Sequence, residues 1–215
     1  MPIKTQGTVI SIETALATTK TITGATQAAE CILTATAHGY TDGSIIKILN
    51  VGGMLQLNQR AYMVDLQAGS PITNKFGLKG VDSSLYLPYT SGGDSYKATM
   101  TPIGGIEGAP QLFQGTAPTI KTTNLLSVAE EAIMGLQTFG SASLSLIYDD
   151  SDLGQQTMAK AKESALPKVF TVKLTSGKTA CFLGFVTSFT VQVAQNDVVK
   201  STSDILVAGA PAMFA

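Results

Sequence analysis

The chain has 215 residues and a mass of 22.3 kDa, and 14 basic residues against 15 acidic ones leave a net charge of −1. Charged residues make up 13%, about half the usual quarter, which excludes a polybasic nucleic-acid binder and an acidic disordered chain. Hydrophobic residues reach 44% and Trp is absent. With the abundant Gly, Ser and Thr, that composition points to an all-β protein whose surface is partly covered by other chains.

The N-terminal stretch MPIKTQGTVISIETALATT lacks the apolar core of a secretory signal. No apolar run approaches the ~18 residues that a membrane span needs. Assembly in a cytoplasm, away from membranes, is expected. From Thr18 to about Tyr96, strand-like runs at Cys31–Ala37, Ser44–Leu49 and Arg60–Val64 are broken by HGY, DG and GG turns. Asp42-Gly43 suits a tight turn because both residues tolerate positive φ. Thr18–Ala98 carries six basic and five acidic residues and reads as a small β module.

Beyond Pro102 the texture changes. Gln111–Gly140 shows no clean alternation, whereas Ser143, Ser145 and Ile147 alternate with Leu144, Leu146 and Tyr148 as in a half-buried strand. Residues 151–165, SDLGQQTMAKAKESA, read as a helix. Ser151 or Asp152 caps it, Asp152 with Gln155 has capping-box spacing, and Pro167 stops it. Leu153, Met158, Ala161 and Ala165 form its apolar stripe, and Lys160 and Lys162 lie toward the negative end of its dipole. Phe170, Val172 and Leu174 then alternate with Val169, Thr171 and Lys173, and Thr175–Lys178 turns the chain. Cys181, Leu183, Phe185, Phe189, Val191 and Val193 are expected on one face of a long strand. Gly184 within it suits a bend or a close approach. A last strand at Ser203–Ala208 runs into the apolar tail AGAPAMFA. Strands with one helix between them give a mainly β fold, a sandwich or barrel-like sheet with one α-helix packed on it.

Few residues suggest chemistry. His38 is the only histidine, sits in TATAHGY and reads as structural. Cys31 and Cys181 lie in apolar runs and read as buried reduced thiols. Ser44-Ile45-Ile46-Lys47 fits S-x-x-K, and Lys178-Thr179-Ala180 loosely fits K-T-G. On a strand, however, Ser44 and Lys47 point to opposite faces. Asp149, Asp150 and Asp152 cluster at the helix start and are accounted for by capping, since a calcium loop needs more regularly spaced oxygens. No metal-ligand spacing and no phosphate-binding glycine loop is present. The chain is expected to be no enzyme and to need no cofactor.

From Glu107 onward the order of features resembles the tail tube (major tail) proteins of long, non-contractile-tailed bacteriophages. An irregular segment, Gln111–Gly140, is followed by the strand SASLSLIYDD and the helix start Asp152-Leu153-Gly154-Gln155-Gln156. The hairpin FTVKLTSGKTACF, the run Gly184–Phe189, Asn196-Asp197-Val198-Val199 and the ending ILVAGAPAMF complete the series. Thr18–Ser95 separately resembles a small phage β module similar to the FCCH-type domain of ubiquitin-activating enzymes. That resemblance rests on Ile22–Thr26, Thr34–Tyr40, Asp42-Gly43, Leu57–Tyr62, Gly80–Ser84 and Tyr89–Gly93. Together they imply a discontinuous tail tube domain, residues 1–17 and 99–215, with an inserted β module at 18–98, expected to be separable and on the outer face of a tube.

The tail tube resemblance further implies a virion protein assembled in the host bacterial cytoplasm. Its copies form hexameric rings that stack into the tail tube, through which genomic DNA passes at ejection without specific binding. Tail terminator, tape measure and baseplate or tail-tip proteins are the partners it implies. Seven Lys against nine acids over 102–215, a net of −2, suit a channel that does not retain phosphates. Asn124–Phe139 either joins its own subunit's core or packs on neighbours. On the second reading Leu125, Leu126, Val128, Ile133, Met134 and Phe139 are subunit-interface candidates, as are Ala210, Pro211, Met213 and Phe214 in the tail. The competing class is a phage or bacterial surface β-sandwich binding module, an adhesin or decoration protein. With aromatic residues at 7%, it is poorly supplied for stacking on sugars.

Overall fold

The computed structural model of the chain describes residues 7–66, 73–124 and 126–212. The elements in chain order are β1 (Val9–Leu16), β2 (Lys20–Thr21), β3 (Gly24–Ala25), β4 (Ile32–Thr34), β5 (Ile45–Leu49) and β6 (Arg60–Asp65). They continue with β7 (Lys75–Leu78), β8 (Asp94–Pro102), β9 (Ile106–Gln111), β10 (Thr119–Lys121), β11 (Ala132–Met134) and β12 (Ser141–Ile147). Helix α1 (Leu153–Ser164), β13 (Lys168–Lys173), β14 (Thr179–Gln192) and β15 (Lys200–Val207) complete the chain. The fold is mainly β with a single α-helix among the described residues.

One antiparallel path runs β3-β4-β7-β6-β5-β8-β1-β13-β14-β15-β12-β9. Strand β8 is its pivot. Its first half, Asp94–Lys97, pairs with β5, and its second half, Ala98–Pro102, pairs with β1. On one side of this pivot Ile22, Leu33, Ile46, Met54, Leu57 and Phe76 enclose a core of their own. On the other, α1 lies across β14 and β1. Met158 and Ala161 of the helix there meet Ile10, Ile12, Phe170, Phe182 and Leu144 of the sheet. A third cluster, Ile45, Ala61, Ala98, Val169, Cys181 and Leu183, joins the two units. It sits on the sheet face opposite the helix, where the base of the 18–98 unit packs.

That third cluster explains a departure from alternation. Val169 and Thr171 of β13 are buried together with Phe170 and Val172, because the helix covers one face and the β unit the other. Strand β12 has no such double cover and stays strictly alternating: Ala142, Leu144 and Leu146 are buried, while Ser143, Ser145 and Ile147 are exposed.

The expected single apolar face of the 181–193 strand is not what forms. Register shifts between Val186 and Ser188, against Ile205 and Asp204 of β15. This bulge carries Phe189 to the helix-side core with Phe182 and Val186, away from Cys181 and Leu183. Val191 is largely exposed, and Val193 lies beyond the strand, 80% exposed. Gly184 marks a close approach, since a Cβ there would stand 2.6 Å from the Ile205 Cγ2.

Candidate assembly interface

No nucleophile–base set is assembled at the residues that the sequence singled out. His38 is buried, its Nδ1 accepts the Tyr40 N–H at 3.0 Å, and its ring packs on Tyr40 and Phe76. Ser44 bonds back to Thr41. Lys47 instead faces the large sheet and donates to the Pro167 carbonyl at 3.4 Å. Cys31 and Cys181 are buried free thiols. Burial pushes Cys31 up against the opposing pull of Ser83, and pushes Cys181 up to about 12, so neither is a nucleophile at neutral pH. No group of three metal-binding side chains occurs among the described residues.

The D-L-G-Q-Q run is a structural knot. Asp152 caps α1 by accepting the Gln155 N–H at 2.8 Å and also accepts the Gly104 N–H at 3.1 Å. Gln155 does not reach back to complete a capping box. Its buried amide donates to the carbonyls of Gly104 and Ile147 and accepts the Asp149 N–H. Gly154 is needed because a Cβ would meet the Pro102 carbonyl at 2.5 Å. Asp149 accepts both the Ser151 N–H and hydroxyl, bonds that hold its carboxyl below the usual range. The acidic cluster thus fastens the helix to the β8–β9 turn and the end of β12.

Surface features are more telling. Strands β10 and β11 form a separate two-stranded hairpin, with Thr119 opposite Met134, Ile120 opposite Ile133 and Lys121 opposite Ala132. It is an arm with hydrophobic side chains in water. Leu126 is 94% exposed, Leu136 91% and Met134 75%, and Val128, Ile120 and Ile133 are also exposed. A monomeric surface rarely concentrates this much apolar area without a partner. Phe139, at the arm's base, is half-buried against the core of its own subunit. The described part of the tail turns inward as well. Ala208 N–H donates to Leu183, and Ala212 exchanges two backbone bonds with Cys181. Ala210 and Pro211 remain half-buried. Leu125, Met213 and Phe214 lie outside the described residues.

A second surface is the polar face of β12, β15 and β14. Ser143, Ser145, Asp204 and Glu107 line an open groove of about 660 Å³. Elsewhere on this face the Thr190 and Thr202 hydroxyls hydrogen-bond at 2.6 Å, and Ser188 donates to Asp204 at 2.9 Å. Lys200, on the same face, is paired with Glu107 at 3.4 Å. A third surface is an open groove of about 680 Å³ where the 18–98 unit meets the large sheet.

No family model matches the chain, and no curated protein matches it. Among solved structures, it is similar to a chain from the tail of an empty GTA particle, refined helically with C6 symmetry. Identity is 20%, the TM-score is 0.45, and the match covers 54% of this chain and 87% of that one. No helix among the described residues is long and apolar enough to cross a membrane.

Proposed function

We propose that the protein is a structural subunit of a phage tail tube, whose copies form stacked hexameric rings around a conduit for DNA. The observation that carries this reading is the β10–β11 arm. Ile120, Leu126, Val128, Ile133, Met134 and Leu136 stand together on it, each half or more exposed and lacking full cover within the subunit. Neighbouring copies would supply that cover. The order of sequence features from Glu107 to the C-terminus supports the same role, and the ring of six is what that resemblance implies.

The polar sheet face supports it further. A conduit wall must let a polyanion slide, and unpaired Lys or Arg would bind phosphate and hold it. Hydroxyls, Glu107 and Asp204 dominate this face, and its Lys200 is neutralised by Glu107. Such a surface has little to offer a phosphate backbone.

Negative-stain microscopy of the purified protein tests the reading directly: rings or tubes are expected. Leu126→Asp should abolish them while leaving the subunit folded by circular dichroism, its melting temperature within a few degrees of wild type, because Leu126 is 94% exposed. Uniform monomers of the wild-type protein at every concentration would overturn the tube. Unfolding of the Leu126→Asp subunit would return that side chain to its own core.

A further inference from the structure

We propose that the arm of one copy docks into the groove between the β unit and the large sheet of a second copy. The inference rests on the self-assembly reading above and names its acceptor surface.

The arm has a defined binding face. Ile120 and Ile133 are directly opposed across the hairpin, so their side chains share one face. The Thr122 N–H continues the ladder to the Glu131 carbonyl. Alternation then puts Glu131 on that same face, two residues from Ile133. Glu130 is paired with Lys121 at 2.9 Å, whereas Glu131 has no ion-pair partner among the described residues. One arm face therefore offers two isoleucines flanked by an unpaired carboxylate.

The groove is its complement. Ile45, Met63 and Met100 give its lining an apolar part, and Lys97 and Lys173 line it as well. Neither lysine is in an ion pair among the described residues. Asp42, also in the lining, already accepts the Leu66 N–H at 3.3 Å. Methionine linings adapt to an incoming side chain because the thioether is flexible and polarisable. The arm does not fill this groove in its own chain, since Ile120 and Ile133 are at least half exposed.

Arm and groove are different surfaces, and each copy carries one of each. Such a heterologous contact repeats until it closes a ring or propagates along an axis. The same chain therefore provides both halves of a polymerising joint, and the 18–98 unit takes part because it forms one wall of the acceptor.

Charge reversal tests this. Glu131→Lys and Lys173→Glu alter exposed side chains, so both variants should fold with wild-type circular dichroism. Each alone should raise the protein concentration needed for assembly by about ten-fold or more, since each replaces attraction by like-charge repulsion. Combined in one chain, they should restore assembly to within about three-fold of wild type by re-forming the pair with inverted sign. If the single variants assemble like wild type, or the combination is worse than either, the arm does not enter this groove, although tube formation itself stands. If the wild-type protein fails to assemble at all, both this joint and the tube reading fall.

Discussion

Glu13 is nearly sealed from solvent, with 3% of its side chain exposed, and it sits where the two units of the chain meet. The β1–β13 ladder ends at Ile12 opposite Phe170. The next N–H, that of Val169, is taken by a Glu13 carboxylate oxygen at 3.1 Å, and Lys168 approaches the other oxygen at 3.3 Å. Lys47 reaches into the same region from the β unit. Burial lowers its pKa, Glu13 opposes that shift and Lys168 adds to it. Glu13→Ala removes the acceptor of a buried N–H and the anion that makes a buried lysine tolerable. Breaking a buried charge set in this way costs about 3–5 kcal/mol. At about 2–4 °C per kcal/mol for a chain of this size, the melting temperature should fall by roughly 6–20 °C.

Glu13→Gln keeps an oxygen for Val169 but loses the charge, so its cost should be smaller and should depend on pH. A lysine whose folded pKa is depressed opposes folding while it is charged. That penalty is relieved as pH rises toward its unfolded value of 10.5. The Glu13→Gln deficit should therefore shrink between neutral pH and pH 10. Adding Lys47→Met should recover most of it at pH 7, by removing the cation left unpaired. Thermal melts followed by circular dichroism at pH 7 and pH 10 read both effects. A Glu13→Ala shift under about 2 °C, or a Glu13→Gln deficit independent of pH, would refute the buried-charge account.

Three further outcomes are expected. Gln155→Leu strands the carbonyls of Gly104 and Ile147 and should cost about 2–4 kcal/mol, read as a lowered melting temperature and a detached helix by hydrogen exchange. Ser201 is fully buried and its hydroxyl has no hydrogen-bond partner among the described residues, so Ser201→Ala should leave stability unchanged or raise it by up to about 1 kcal/mol. A clear loss in urea melts would mean that the hydroxyl is satisfied. Because Cys181 ionises near 9.0 when unfolded and about 12 when folded, its contribution is unchanged below pH 9 and is lost as pH rises through that window. Wild type should thus lose roughly 1.4 kcal/mol more than Cys181→Ala between pH 8 and pH 10, and parallel curves would show the thiol to be solvated.

What was legible in the sequence depended on how local its cause is. The helix announced itself through Asp152, the spacing to Gln155 and the stop at Pro167, all within one short stretch. Strand β12 was legible because it is covered on one face only, so its burial follows its alternation. The 186–188 bulge was not, since it is a backbone register shift with no side-chain signature, and it moved Phe189 to the other face. LLSVAEEAIMGL has helix-like content, but its described residues, 126–136, form the tip and second strand of a hairpin. A short apolar stretch without a packing surface has no tertiary reason to stay helical. The arm's apolar residues were visible as candidates because they stand in a segment flanked by Thr, Pro and Gly. The groove was invisible, since Ile45, Met100 and Lys173 are brought together only by the crossing of β5, β8 and β13.

The burial pattern of the large sheet also records what covers it. Strand β13 and the first half of β14 are buried on both faces, at Val169, Phe170, Cys181, Phe182 and Leu183. Strands β12 and β15 are buried on one face and carry Ser143, Ser145, Thr202 and Asp204 on the other. The boundary crosses β14 at the bulge, after which Thr190 and Gln192 are largely in water. Beneath this unit Val169, Cys181 and Leu183 are buried beside the polar Thr171 and Glu13, and burying a Val or Leu side chain is worth about 1.5–3 kcal/mol. The sheet beneath the β unit therefore depends on that unit for part of its stability, while the polar half lacks such cover within the subunit. One sheet serves as an internal wall at one end and an external surface at the other, and β8, shared by both units, fixes where the change occurs.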